Sequence, residues 1–255
     1  MTTAAGDHWR AQLEGWAIPR EILERAEASP WHLPPGCFAL SANPPTPTTT
    51  DRCLQALDGG TVLDVGIGGG RASLHLGAST VIGVDARPAM LDRAVEEASR
   101  TGAHLMPVLG EWPDVADQAP HADVVVCSHV AYNVQQIEAF LTALHEHATR
   151  RVVLEVDASH PMTRTRPAWR TFWGIDRPIG PSWEDLAQVL RDLGIEPLSE
   201  DYLVPAHKGA VTDDEVVRLR TRLCLSPDRD QEVRAFLEAT PRTPRHVVTL
   251  WWDTA

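Results

Sequence analysis

The segment Val62-Leu63-Asp64-Val65-Gly66-Ile67-Gly68-Gly69-Gly70 sets closely spaced glycines behind an apolar run. That spacing suits a ligand that must approach the backbone, because glycine tolerates left-handed conformations and carries no Cβ to block the approach. A helix starting at such a turn adds oriented N–H donors, the arrangement nucleotide-like cofactors use. Two acids frame the turn. Asp64 stands two residues before the first glycine, and Asp85 follows 21 residues after Asp64, closing the next apolar run. An acid placed like Asp85 can accept both hydroxyls of a ribose. The Asp64 carboxylate is expected to face the mouth of the site, where it would repel a pyrophosphate and attract an ammonium group, directly or through water. The dinucleotide fingerprint G-x-G-x-x-G/A, started at Gly66, also fails, because Arg71 occupies the place of its third small residue.

A second set of candidates follows later apolar runs. His129 comes just after residues 122–128 and is the first choice for a general base, with a locally hydrogen-bonded histidine as the alternative. Tyr132 and Asn133 could orient an acceptor or cap the helix expected from Val134, and the cap is favoured for Asn133. Glu155, Asp157 and His160 approach the same edge, but nothing in their spacing demands a metal, and none is expected. His145 and His147 are two apart on a helix and cannot face one ligand. Arg164, Arg166, Arg170 and Arg177 gather among Trp169, Phe172 and Trp173. A solvated basic face is favoured there, ahead of a site for an anionic metabolite or for stacked RNA bases.

The elements that must position these groups alternate. Short apolar runs at 61–66, 80–85, 103–109, 122–128 and 151–157 read as buried strands. Helical patterns at 70–78, 87–100 and 134–148 separate them. Further helices are expected at 183–194, 212–225 and 229–239, and strands near 198–206 and 245–252. The pattern predicts a doubly wound α/β sheet. Ahead of it, residues 7–28 read as short amphipathic helices interrupted at Pro19, and the Pro- and Thr-rich stretch Ser41–Thr50 marks a break. The expected organisation is an N-terminal cap over 1–50 and a main domain over 51–255, with a substrate-covering insertion at 158–181. Of nine tryptophans, Trp9, Trp16, Trp31, Trp169, Trp173 and Trp183 fall in or beside the cap and insertion. They either wall an acceptor pocket or pack the cap onto the sheet.

With 43% apolar and 23% charged residues, the 255-residue chain can bury a core and lacks the signature of disorder. A formal charge of −12 argues against bulk nucleic-acid binding. The four cysteines form no C-x-x-C pair. Without an apolar run of ~20 residues or a signal-like N-terminus, a soluble cytoplasmic protein with reduced thiols and no membrane partner is expected. Oligomeric state is left open.

The D-x-G-x-G-x-G run at 64–70, the acid at 85 and the strand ADVVVCSHVAYNV resemble the class I S-adenosylmethionine-dependent methyltransferases over roughly residues 51–157. The resemblance implies a Rossmann-like methyltransferase fold with a seven-stranded, mostly parallel sheet whose last strand is antiparallel, with RHVVTLWWD suited to that strand. It implies S-adenosylmethionine as cofactor, held by Asp64, Gly66, Ile67, Gly68, Gly70, Asp85 and Ala86. Glu111 and Trp112 would flank the adenine, and Ser128 would lie beside the reactive sulfur, with His129 and Tyr132 toward the acceptor. No [DN]-P-P-[FY] motif follows the fourth strand, a departure that argues against DNA base methylation. The expected reaction is methyl transfer to an oxygen or nitrogen of a small molecule. The alternatives are an NAD(P)-dependent oxidoreductase, an RNA methyltransferase and a cofactor-binding module without catalysis.

Overall fold

The computed structural model describes residues 2–31, 46–206 and 208–254. Strands β1 (Thr61–Val65), β2 (Thr80–Asp85), β3 (Leu105–Leu109), β4 (Ala122–Ser128), β5 (Ala148–Asp157), β6 (Leu198–Val204) and β7 (Arg245–Asp253) form one sheet in the order β3-β2-β1-β4-β5-β7-β6. Strands β1 to β5 run parallel, whereas β7 is antiparallel to both β5 and β6. The expected doubly wound, seven-stranded sheet with an antiparallel final strand is therefore present.

Both faces of the sheet are covered. Leu63, Val125, Cys127, Val152 and Leu154 enter one apolar cluster with Phe140 and Leu144 of helix α5 (Ile137–His147). Val62, Val124, Val126 and Val153 enter a second, beneath Cys53 and Leu57 of helix α3 (Pro47–Leu57). Each fully buried Val or Leu contributes about 1.5–3 kcal/mol, an upper figure because unfolded chains already bury some surface. Burial on both faces is why these strands are readable as continuous apolar runs.

Four expectations need correction. No helix forms over 70–78: turns fill that stretch between Gly70 and Gly77, both left-handed, at φ 78° and 71°. Six residues between two such breaks are too few to offset helix nucleation. Helix α3 begins at Pro47, three residues before the end of the stretch taken as a break. Thr46 caps it by accepting from the Thr49 N–H, and Pro47 occupies the first turn, where its missing N–H costs nothing. The helix thus straddles the expected boundary at residue 50. Helix α5 starts at Ile137 behind Gln136, so Asn133 is not its cap and ends a short 3-10 turn instead. The Trp9 indole N–H donates to the Val134 carbonyl (2.9 Å), which holds that segment outside the helix.

The leader forms α1 (Ala4–Glu14) and α2 (Arg20–Leu23), with Pro19 immediately before the latter. The insertion after β5 contains α6 (Arg166–Trp173), and α7 (Trp183–Asp192) returns to the sheet. Ile18 and Ile22 of the leader pack with Ala168 and Trp169 of the insertion. Val216, Leu223 and Val233 join the same cluster from α8 (Asp213–Arg222), the segment after it and α9 (Asp230–Ala239). This apolar cluster thus draws a third component from between β6 and β7, beside the leader and the insertion. Residues 32–45 lie outside the described residues, and with them Cys37 and the first half of the Pro- and Thr-rich stretch Ser41–Thr50. Cys53, Cys127 and Cys224 are free and buried. Among the described residues no helix is long and apolar enough to cross a membrane, and no cluster of three or more metal-ligating side chains is present.

Candidate active site

The C-terminal ends of β1, β2 and β4 bring the glycine turn, Asp85 and His129 to one sheet edge, where open α/β sheets bind ligands. The turn hangs on the Val84 carbonyl, which accepts from the N–H groups of Gly66 (2.8 Å) and Ile67 (2.9 Å). Its glycines have different reasons. A Cβ on Gly66 would lie 2.3 Å from Val130, and one on Gly70 would lie 2.1 Å from Leu74, so both yield to packing. A Cβ on Gly68 would meet nothing closer than the Gly66 carbonyl at 4.0 Å, yet its φ is 54°. Gly68 therefore keeps open space at the sheet edge. Its N–H donates to Asp85 Oδ2 (2.9 Å), while Asp85 Oδ1 accepts from the Arg87 N–H (2.9 Å). Both oxygens retain a lone pair for a ligand.

Ile67 is buried and packs toward Gly83, so only its backbone belongs to the turn. Ala86 and Glu111 are exposed. Trp112 is buried, its ring edge-on to His147 at 4.8 Å, and its indole N–H has no partner. The Gly110 N–H donates to the Asp85 carbonyl (3.0 Å), which ties the end of β3 to that acid. Ser128 Oγ is buried and also without a partner.

Asp64 is not at the mouth. It is 1% exposed, on the face of β1 shared with Val62, and accepts from Ser73 Oγ at 2.6 Å. Burial pushes its carboxyl up to about 7, with Ser73 and Arg71 offsetting only part of the cost. The expected negative lip at Asp64 is therefore absent; Asp85 and Glu111 are the acids near the surface.

His129 has φ 58°, a conformation uncommon for a residue with a side chain. Its N–H donates to the Glu155 carbonyl (2.7 Å), and its Nε2 lies 3.0 Å from Glu155 Oε1. Glu155 is wholly buried. Its Oε1 also accepts from Arg71 (2.8 Å), and its Oε2 accepts from the hydroxyls of Thr46 (2.8 Å) and Thr49 (2.7 Å) and the Thr46 N–H (3.2 Å). Burial would raise this carboxyl, but His129, Arg71 and Thr49 outweigh it and hold it well below the usual carboxylate range. Composition and spacing missed this network, since it depends on the register that places Ser128 beside Glu155.

Tyr132 has a structural task. It is buried, stacked on Trp9 at 5.4 Å, and its hydroxyl donates to the Asp157 carbonyl at 2.7 Å. Three tryptophans of the leader and insertion also pack inward, whereas Trp31 is half exposed. Trp9, Trp16 and Trp169 are buried, and the Arg177 guanidinium lies between the rings of Trp16 (5.4 Å) and Trp169 (4.9 Å), donating to the Trp16 and Ala17 carbonyls. Arg170 pairs with Asp176, and Arg166 donates to the Arg177 carbonyl. Arg177 is thus buried and Arg166 partly buried, whereas Arg164 and Arg170 are exposed.

A family model described as a methyltransferase domain matches residues 62–151, the stretch from β1 into β5. Residues 62–151 are thus similar to a methyltransferase domain, and they run through the strands β1 to β4 and into β5 of the sheet. A ribosomal protein L11 methyltransferase of Citrobacter koseri is 34% identical over 121 residues, covering 44% of this chain and 40% of the relative. The chain thus spans less than half the length of the curated relatives it matches. The structure of magnesium protoporphyrin IX methyltransferase from Synechocystis, with bound S-adenosylhomocysteine, covers 80% of this chain and 81% of its own, at TM-score 0.50 and 18% identity. Coclaurine N-methyltransferase, bound to N-methylheliamine and S-adenosylhomocysteine, covers 98% of this chain and 86% of its own, at TM-score 0.51 and 14% identity. At such identities these two structures establish the fold alone.

Proposed function

We propose that this chain binds S-adenosylmethionine at the Gly66–Gly70 turn and transfers its methyl group to an oxygen or nitrogen of a small molecule. The observation that carries the reading is Gly68, left-handed and facing open space, with its N–H bonded to the acid that ends β2. In this reading Asp85 accepts the ribose hydroxyls, Trp112 flanks the adenine, and Ser128 supplies an uncommitted hydroxyl beside the donor group. Asp64 acts from below, by holding the turn through Ser73, rather than as a charged lip.

The sulfonium cofactor supplies an activated methyl group, so the chain has to align an acceptor and keep water out. The leader, the insertion and the α8–α9 segment form the cap for that purpose. His129 is the group placed to take a proton from an acceptor that must lose one. Tyr132, whose hydroxyl is committed, supports the His129 segment by anchoring it to β5.

Calorimetry with S-adenosylhomocysteine and with NADH tests the cofactor. Binding of the first alone is expected, and binding of NADH alone would overturn the reading in favour of an oxidoreductase. Methyl-labelled donor incubated with a cell extract tests the acceptor. Label in the small-molecule fraction is expected. The relatives named for a ribosomal protein favour a second outcome, label in a protein band, which would replace the small-molecule reading. Label in RNA would replace both, and binding without label in any fraction would point to a non-catalytic module.

A further inference from the structure

We propose that Glu155 is a positioning residue for His129: its Oε1 holds the imidazole as the Nε2–H tautomer and leaves Nδ1 as the atom that receives the acceptor's proton. The proposal rests on the methyl-transfer reading for the acceptor, but the positioning itself can be tested without one.

Three observations carry it. Both ring nitrogens of His129 are buried; Nε2 lies 3.0 Å from Glu155 Oε1, and Nδ1 has no partner among the described residues. The Nε2 contact is oblique to the ring N–H axis and so falls short of a well-formed hydrogen bond. Such contacts are often misaligned in ligand-free sites and tighten in the complex. Second, Glu155 is fixed from the other side. Thr46 and Thr49 direct three donors at Oε2, so the carboxylate cannot turn without leaving buried donors unpaired. Third, every neighbour of the carboxylate is a donor, so it presents only acceptor atoms to the ring, and the ring nitrogen facing it must carry the proton. In the transfer step the acceptor's proton would pass to the Nδ1 lone pair as the acceptor atom bonds to the methyl carbon. The C–S bond breaks with its electron pair going to sulfur.

The same donors make a specific variant informative. In Glu155→Gln the amide oxygen should settle at the Oε2 position, where three donors wait, placing the amide NH2 at the Oε1 position toward His129. An NH2 there donates to Nε2, and the ring should switch to the Nδ1–H tautomer. The test is 15N spectroscopy of histidine-labelled full-length protein at pH 8, with the His129 signals assigned by their loss in His129→Gln. The wild type should show a protonated Nε2 and an unprotonated Nδ1, and Glu155→Gln should show the reverse. A wild type with Nδ1 protonated would overturn the proposal, as would a folded Glu155→Gln protein with unchanged His129 signals. If Glu155→Gln does not fold, the wild-type spectrum alone decides. Calorimetry with S-adenosylhomocysteine on the same samples keeps the two ideas apart, because lost cofactor affinity in the wild type would sink the functional reading while leaving the tautomer result standing.

Discussion

Two buried carboxylates lie beneath the same sheet edge and are held in opposite ways. Asp64, behind the glycine turn on β1, has one hydroxyl donor, and burial raises its carboxyl to about 7. Glu155, behind His129 on β5, accepts from the hydroxyls of Thr46 and Thr49, the Thr46 N–H and Arg71, and stays ionised far below its ordinary range. Burial is similar, so the number and charge of the donors decide the protonation state. The contrast divides the site. The β1–β2 half needs room and a turn held from below, whereas the β4–β5 half needs a permanent charge.

The largest effect should come from removing that charge. Glu155→Gln leaves Arg71 facing an amide N–H group in a wholly buried setting, and breaking a buried pair in this way costs about 3–5 kcal/mol. Urea unfolding at pH 7 measures it. A cost under about 1 kcal/mol would mean that the Thr and Arg donors contribute little net stabilisation, and the contrast with Asp64 would disappear.

Gly68→Val should be next, and it acts on binding. A β-branched side chain fills the open space before the turn and is strained at φ 54°. Affinity for S-adenosylhomocysteine should fall at least 100-fold by calorimetry, while the protein remains folded. Retained affinity would move the cofactor away from the β1–β2 half altogether.

The opposite protonation states predict opposite pH responses. Asp64 ionises near 3.8 when unfolded and near 7 when folded. Between those values the folded chain holds a proton that the unfolded chain has released, so stability from this group falls as pH rises from about 4 to about 7. Glu155 has the reverse sign: its contribution is present above its unfolded value of 4.5 and is lost as pH falls below it. Asp64→Asn removes only the first effect. The stability of wild type relative to Asp64→Asn should decline by up to about 1.4 kcal/mol per pH unit across that window. A flat difference would place Asp64 in contact with solvent and restore the charged lip.

Much of the fold was legible because the signals were local. Strands 80–85 and 122–128 are read to the residue from apolar runs buried on both faces. The failures were tertiary. The helix expected at 70–78 was undone by Gly70 and Gly77, whose left-handed geometry a helical pattern does not reveal. Asp64 lies near the end of a strand as a ligand-facing acid would, and only the turn folded over its face, carrying Ser73, shows that it is covered. His129 and Glu155 were both singled out, but their meeting depends on the β4–β5 register. The packing of α8 and α9 onto the leader and insertion was hidden because their apolar positions are few and their partners lie about 50 to about 200 residues away, distances no local pattern spans.

The smallest effect sharpens the β4–β5 half. Tyr132→Phe removes only the hydroxyl that donates to the Asp157 carbonyl, leaving the ring stacked on Trp9. Losing one buried hydrogen bond should cost about 1 kcal/mol in urea unfolding. The His129 tautomer and the transfer rate should stay within about twofold of wild type, a change worth only ~0.4 kcal/mol. A large fall in rate at unchanged stability would give Tyr132 a part in the chemistry and make Glu155 one of two groups preparing the acceptor side. Loss of stability alone leaves Glu155 as the group that sets the charge there, because an anchor on a carbonyl cannot substitute for a fixed anion beside an imidazole.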